Sequence, residues 1–196
     1  MSDNAVYRFA RELATEVEEG LTDEAPFSAN VFTCLVLEGL EEPGHFEGTF
    51  DLHQEGRLGN AGYRIDGFAF DQERARLELF TTIYHGDLPP ARVPAAAAAR
   101  AFERALRFAS ASVDGLADRL EPSNTDASAL ARRIEAEAPS LATIRIVLLS
   151  DGVLAGAVPK VGEWKGRRVE FDVYDIVCLQ RILGEGETRA DILSIS

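Results

Sequence analysis

The succession of hydrophobic periods along the chain predicts an α/β fold, a mixed β-sheet flanked by helices. Three observations carry this. Residues 63–84, YRIDGFAFDQERARLELFTTIY, read as two strands joined by the charged turn Asp71-Gln72-Glu73-Arg74. Residues 141–149, LATIRIVLL, are the most hydrophobic run and suit a central strand. Helical periods come before the first of these stretches and between the two.

Taken in order, residues 4–19 predict a helix, with Val6, Phe9, Ala10, Leu13 and Val17 at helical spacing, Ser2 or Asp3 as cap and Gly20 as stop. A second helix is expected from residue 23 or 24 to 40, with Phe27, Val31, Cys34 and Leu35 inward and Pro26 in its first turn. Residues 46–52 read as a first, edge strand, and residues 55–62, with three glycines, as a loop. In the second strand of the hairpin, Leu77, Leu79, Thr81 and Ile83 face one way, and Glu78, Phe80, Thr82 and Tyr84 the other. A proline-rich connection over residues 88–94 leads to a long alanine-rich helix, residues 94–120. Its expected buried stripe is Phe102, Ala105, Leu106, Ala109, Val113 and Leu116, and Pro122 stops it.

A further helix covers residues 126–138, ahead of the central strand. Residues 153–161 and 167–173 read as a hairpin around 162–166. A short helix over residues 175–183 has Asp175 as its N-cap. Residues 188–195 alternate and read as a last strand. An apolar strand at a terminus usually pairs with something, so the chain is expected to be the N-terminal part of a longer protein, with a natural end docked in the sheet as the alternative, folded as a single α/β domain over residues 1–196.

Composition narrows the function classes. The 196 residues carry a net charge of -13, which excludes a generalised polyanion-binding surface but leaves room for a local basic groove. A protein partner is favoured over nucleic acid. Cys34 and Cys178 stand far apart in apolar contexts, outside any CxxC or zinc pattern, and read as buried thiols of a reducing cytosol. The acid-rich start has no signal-peptide pattern, and no window approaches a membrane span, so the expected location is cytoplasmic.

Asp66 is the first residue to question, because an acid inside an apolar strand costs free energy unless it has a partner or a task. Asp66 with Glu78 suggests a Mg²⁺ site. A PD-(D/E)XK-type nuclease needs an acid on one strand and Glu or Gln, then Lys two residues on, on the next, so that one face holds the metal and the lysine. Here Phe80 stands two residues after Glu78, and no lysine follows. The plainer reading pairs Asp66 with an arginine or has it cap a neighbouring loop, and leaves Glu78 solvated. Arg100, Arg104 and Arg107 recur at helical spacing, with Arg92 upstream, as a phosphate-binding stripe or an ion-paired surface. Lys160, Lys165, Arg167 and Arg168 read as a surface hairpin tip, and Trp164 as a partner contact or a cover for the sheet edge. His45, His53 and His85 share no metal spacing, and the chain has no GxSxG, Walker or GxGxxG motif.

The run Ile65-Asp66-Gly67-Phe68-Ala69-Phe70-Asp71, followed by Leu77-Glu78-Leu79-Phe80-Thr81-Thr82-Ile83-Tyr84, resembles the N-terminal domain of the abortive infection phage resistance (AIPR) family. Phe171-Asp172-Val173-Tyr174-Asp175-Ile176, with Leu179 and Arg181, is similar to that domain's closing strand-to-helix step. The resemblance implies a restriction-endonuclease-like fold and a phage-defence context. Nuclease-like relatives show Asp, fourteen residues, then Gln-x-Lys-Tyr. With Asp66 on that aspartate, Tyr84 falls on the tyrosine, Thr81 on the Gln and Ile83 on the Lys. The acid is kept and both members of the second half are lost.

The expectation is therefore a degenerate, metal-poor nuclease fold serving assembly, sensing or protein interaction, with the C-terminal part of a longer chain or another protein as partner. The alternative is a working Mg²⁺-dependent nuclease cleaving DNA or RNA. There Asp66 and Glu78 would hold the metal, Glu12 or Glu16 would complete the shell, and a basic residue from elsewhere would replace the lysine. A third reading is a scaffold or homodimerisation domain pairing through a strand edge at residues 46–52 or 188–195.

Overall fold

A computed structural model describes the backbone of residues 2–193 and the side chains of residues 4–184. Helices α1 (Ser2–Glu19) and α2 (Ser28–Glu41) open the chain. Strands β1 (Phe50–Leu58), β2 (Ala61–Asp71) and β3 (Arg76–Ile83) follow as an antiparallel meander. A short strand β4 (Arg92–Pro94) leads into α3 (Ala95–Val113), then a 3-10 turn (Leu116–Asp118) and α4 (Thr125–Glu137). The last third comprises β5 (Thr143–Ser150), β6 (Val153–Ala155), β7 (Val161–Trp164), β8 (Arg167–Tyr174) and α5 (Ile176–Leu193). The expected class is the one that forms. A six-stranded mixed sheet runs in the order β1-β2-β3-β5-β8-β7, with β3, β5 and β8 parallel.

Helices cover both faces, which makes three layers. Helices α3 and α4 pack Phe102, Phe108, Leu130 and Ile134 onto Ile65, Leu77, Leu79, Ile144 and Ile146. Helices α1, α2 and α5 pack Leu13, Phe32, Val36 and Leu179 onto Phe80, Val147 and Leu149. Each fully buried Phe, Leu or Ile contributes roughly 1.5–3 kcal/mol. The two-sided alternation expected for β3 is observed, with Leu77 and Leu79 in one core and Phe80 in the other. From Ile146 onward strand β5 is buried on both faces, which is why residues 146–149 read as a continuous apolar run.

Local departures from the expected elements have physical causes. Residues 55–62 are not a loop: β1 runs to Leu58 and pairs it with Ala61 around the two-residue turn Gly59-Asn60. Gly59 has φ +60, which glycine adopts without a side-chain clash. Gly56 is a strand residue because the Tyr63 hydroxyl of its cross-strand partner lies where a Cβ would be. β1 is the sheet edge, as expected for the first strand. Helix α2 begins at Ser28, so Pro26 precedes it and Phe27, expected inward, is exposed, while Phe32 and Leu37 fill the core instead. The long helix stops at Val113, and Gly115 at φ +81 separates it from the 3-10 turn.

The expected 153–161 strand is two. Val153–Ala155 pairs with β4, and Val161–Trp164 pairs with β8 across Lys165-Gly166, both at positive φ as a tight hairpin turn requires. Residues 188–193 continue α5 rather than form a strand, and residues 194–196 lie outside the described residues. The glycines at 184 and 186 suggest a break, yet each costs a helix only about 1 kcal/mol, less than starting a new element. Asp175 caps α5 as expected, accepting from the Cys178 amide at 3.0 Å. No helix among the described residues is long and apolar enough to cross a membrane.

Candidate functional site

Asp66 sits in β2 with a side chain only 2% exposed, and three residues converge on it. His53 of β1 donates from Nδ1 to Oδ1 at 2.7 Å. Arg64, two residues back on β2, donates from Nε to both oxygens at 3.2 and 3.1 Å and from Nη2 to Oδ1 at 3.0 Å. The Thr82 amide of β3 donates to Oδ2 at 2.8 Å. The last rung of the β2–β3 ladder is Gly67 opposite Phe80. Past it the carboxylate takes the place of a backbone acceptor. A bulge in β1 between Asp51 and Gln54 brings His53 to the acid. Burial alone would raise the Asp66 carboxyl. The His53, Arg64 and Thr82 donors outweigh that and hold it below the usual aspartate value.

Glu78 lies elsewhere on the sheet. It pairs with Ala69, on the far side of the last ladder rung from Asp66. It is buried rather than solvated, with its side chain 4% exposed. Its Oε1 meets Arg76 Nη2 at 2.9 Å and accepts from Arg145 Nη1 of β5 at 3.3 Å. Arg145 also donates from Nε to Asp172 at 2.6 Å and from Nη2 to the Tyr174 hydroxyl at 3.4 Å. Phe46, in the loop after α2, lies 5.0 Å from that guanidinium and covers the network. Burial pushes Glu78 above the usual glutamate value, against the pull of Arg76 and Arg145. The Arg76 Nε atom is buried without a hydrogen-bond partner.

The remaining expected site residues are dispersed. Glu12 and Glu16 of α1 line a concavity between α1, α2 and α5, with Phe9, Leu35 and Leu183. Thr81 is buried and Ile83 packs on the core beneath α3 and α4. His45 stands edge-on to Tyr174, and His85 stands by Asp151. Trp164 covers the sheet, its Nε1 donating to Ser110 at 2.7 Å. The cysteines are free and half-buried, and burial with nearby Asp51 and Glu38 pushes Cys34 up to about 11. At the carboxyl ends of the parallel strands, where open α/β sheets usually take ligands, the acids are occupied. Asp151 accepts from the His85 and Gly86 amides, and Asp175 from Leu154.

The residues present do not fit Mg²⁺. A magnesium ion needs near-octahedral oxygen ligands, and the space around the Asp66 oxygens is filled by two nitrogen side chains and an amide. Among the described residues, no group of three His, Cys, Asp or Glu side chains is placed to hold a metal. What the cluster can do is fix geometry: one buried anion locks β1, β2 and β3 together and orients His53.

From the sequence, His53 is weighed only as a metal ligand, not as the partner of Asp66, and Arg145 is not singled out. Arg64, two residues from Asp66 in a strand, was within reach of period-2 reasoning. His53 needed the β1 bulge, and Arg145 needed the parallel β3–β5 register that sets it opposite Glu78.

The fold and cluster define a three-layer α/β domain whose strand acid is spent within the protein. The family model described as the abortive infection phage resistance protein N-terminal domain matches residues 32–181. The chain belongs to that family. No curated protein and no solved structure matches it.

Proposed function

We propose that this domain is a degenerate nuclease-type core that serves assembly or sensing within an abortive-infection defence protein, and that Asp66 is its structural acid. The meander β1-β2-β3, the crossing helices α3 and α4, and a fourth strand parallel to β3 follow the element order of restriction-endonuclease-like cores. The single observation that carries the reading is the saturation of Asp66 by His53, Arg64 and Thr82. A catalytic carboxylate must keep lone pairs for an ion, and a catalytic lysine must face it. Ile83 stands at that strand position and packs into the core. The net charge of -13 and the free edge of β1, with exposed Phe50 stacked on Phe68, favour protein contacts over a nucleic-acid groove.

The test is phage challenge of cells carrying the full-length protein with Asp66→Asn or Arg64→Ala/His53→Ala. Variants that accumulate as folded protein are expected to keep protection. Loss of protection in folded Asp66→Asn, alongside loss of a metal-dependent cleavage that the wild type shows, would overturn the reading.

A further inference from the structure

We propose that the concavity between the β1–β2 hairpin and α3 binds closely spaced phosphate groups of a nucleotide-sized ligand. It is lined by Glu55, Gly56, Arg57, Gly62, Arg104 and Arg107, with a volume of about 570 Å³. That volume lies within the roughly 300–1,000 Å³ of small-molecule sites. Three guanidiniums face one carboxylate there, in a chain of net charge -13. Such a gathering is self-repelling unless anions offset it.

The protein offsets it in part. Arg104 Nη2 donates to Glu55 at 3.3 Å. Arg107 donates to Glu103 at 3.2 Å and to the Gly62 carbonyl at 3.4 Å. Arg57, exposed and opposite Gly62 in the hairpin, has no ion pair among the described residues. Gly62 leaves part of the floor as bare backbone, whereas at Gly56 the Tyr63 hydroxyl lies where a Cβ would be. A Cβ on Gly62 would rest 3.8 Å from Arg104 Nε, in ordinary van der Waals contact, so Gly62 lies directly against that guanidinium. Arginine's planar fork matches phosphate oxygens two at a time.

The overall acidity selects for a short anion. An extended polyanion would meet the chain's negative field along most of its length, whereas a di- or triphosphate fits inside the basic concavity. The site lies on the opposite helical layer from α2 and does not involve Asp66, so it stands apart from the function proposed above.

The experiment is calorimetric titration, at low salt, of inorganic pyrophosphate, ATP and a short DNA duplex into the wild type, Arg57→Ala/Arg104→Ala and Arg168→Ala. Circular dichroism confirms that each variant is folded. The wild type should bind pyrophosphate and ATP saturably. The double variant should bind both at least tenfold more weakly, which is roughly the loss of one charge-assisted hydrogen bond. Arg168→Ala should match the wild type. Absence of saturable pyrophosphate and ATP binding, equal binding by the double variant, or binding of the duplex alone would each overturn the proposal.

Discussion

Asp66, one residue past the last rung of the β2–β3 ladder, accepts through its carboxylate the backbone amide of Thr82, two residues past that rung on β3, at 2.8 Å. A side chain thus stands in for a strand carbonyl where the two strands part. The same carboxylate holds His53 of the edge strand and Arg64 of its own strand. The anion is therefore a joint between three strands, and removing it takes the acceptor from four N–H donors on three residues.

Asp66→Ala should destabilise the domain by about 3–5 kcal/mol, the usual cost of removing one member of a buried ionic cluster. Asp66→Asn keeps the shape and one carbonyl acceptor and should cost less. Urea unfolding followed by circular dichroism measures both. A stability gain on removing the acid, as happens when repelling active-site carboxylates are relieved, would contradict a structural role.

Acid should weaken the fold through the same group. The folded Asp66 value lies below the unfolded one, near 3.9. Its stabilisation is fully present above the unfolded value and disappears as pH falls through the folded value. Stability of Asp66→Asn should therefore fall less steeply than that of the wild type between about pH 5 and the acid end. Matched slopes would remove Asp66 from the account.

Glu78 titrates in the opposite sense. Its folded value is raised by burial, so its contribution is largest below the unfolded value and is lost as pH rises through the folded value. Arg145 is one of the two cations that oppose this rise. Arg145→Gln should move the Glu78 carboxyl further upward, as read by carbon-detected NMR titration. A downward shift would show that the guanidinium does not stabilise the carboxylate.

Gly56→Ala should cost about 1–3 kcal/mol, because the new methyl meets the Tyr63 ring and hydroxyl inside the hairpin. Gly59, at φ +60 with open space around it, should resist alanine through backbone strain alone, at about 1 kcal/mol. Thermal melts of the two variants separate these causes: a cavity-making change at Tyr63 should relieve the first and leave the second.

Period-2 alternation placed Leu77 and Phe80 in opposite cores correctly, because a central strand writes both faces into its sequence. Asp66 drew notice as an acid in an apolar run, and one part of its environment, Arg64, lay two residues away. The rest depended on contacts between strands. His53 is thirteen residues upstream and reaches Asp66 only through the β1 bulge, and Arg145 is sixty-seven residues from Glu78. The β1–β2 hairpin was misread for a local reason: Gly56 and Gly62 look like loop residues, although one accommodates Tyr63 and the other faces Arg104. Its signal was Gly59-Asn60, a pair suited to a two-residue turn.

Calorimetry with Mg²⁺ and Mn²⁺ on the wild type and Asp66→Asn, with plasmid and single-stranded DNA cleavage followed in the same samples, bears on the role of Asp66 without intermediaries. The saturated carboxylate predicts no stoichiometric metal binding that depends on Asp66 and no metal-dependent cleavage. Cleavage that requires the ion and disappears in folded Asp66→Asn would mean that His53 and Arg64 give way to a metal, and that the acid is catalytic.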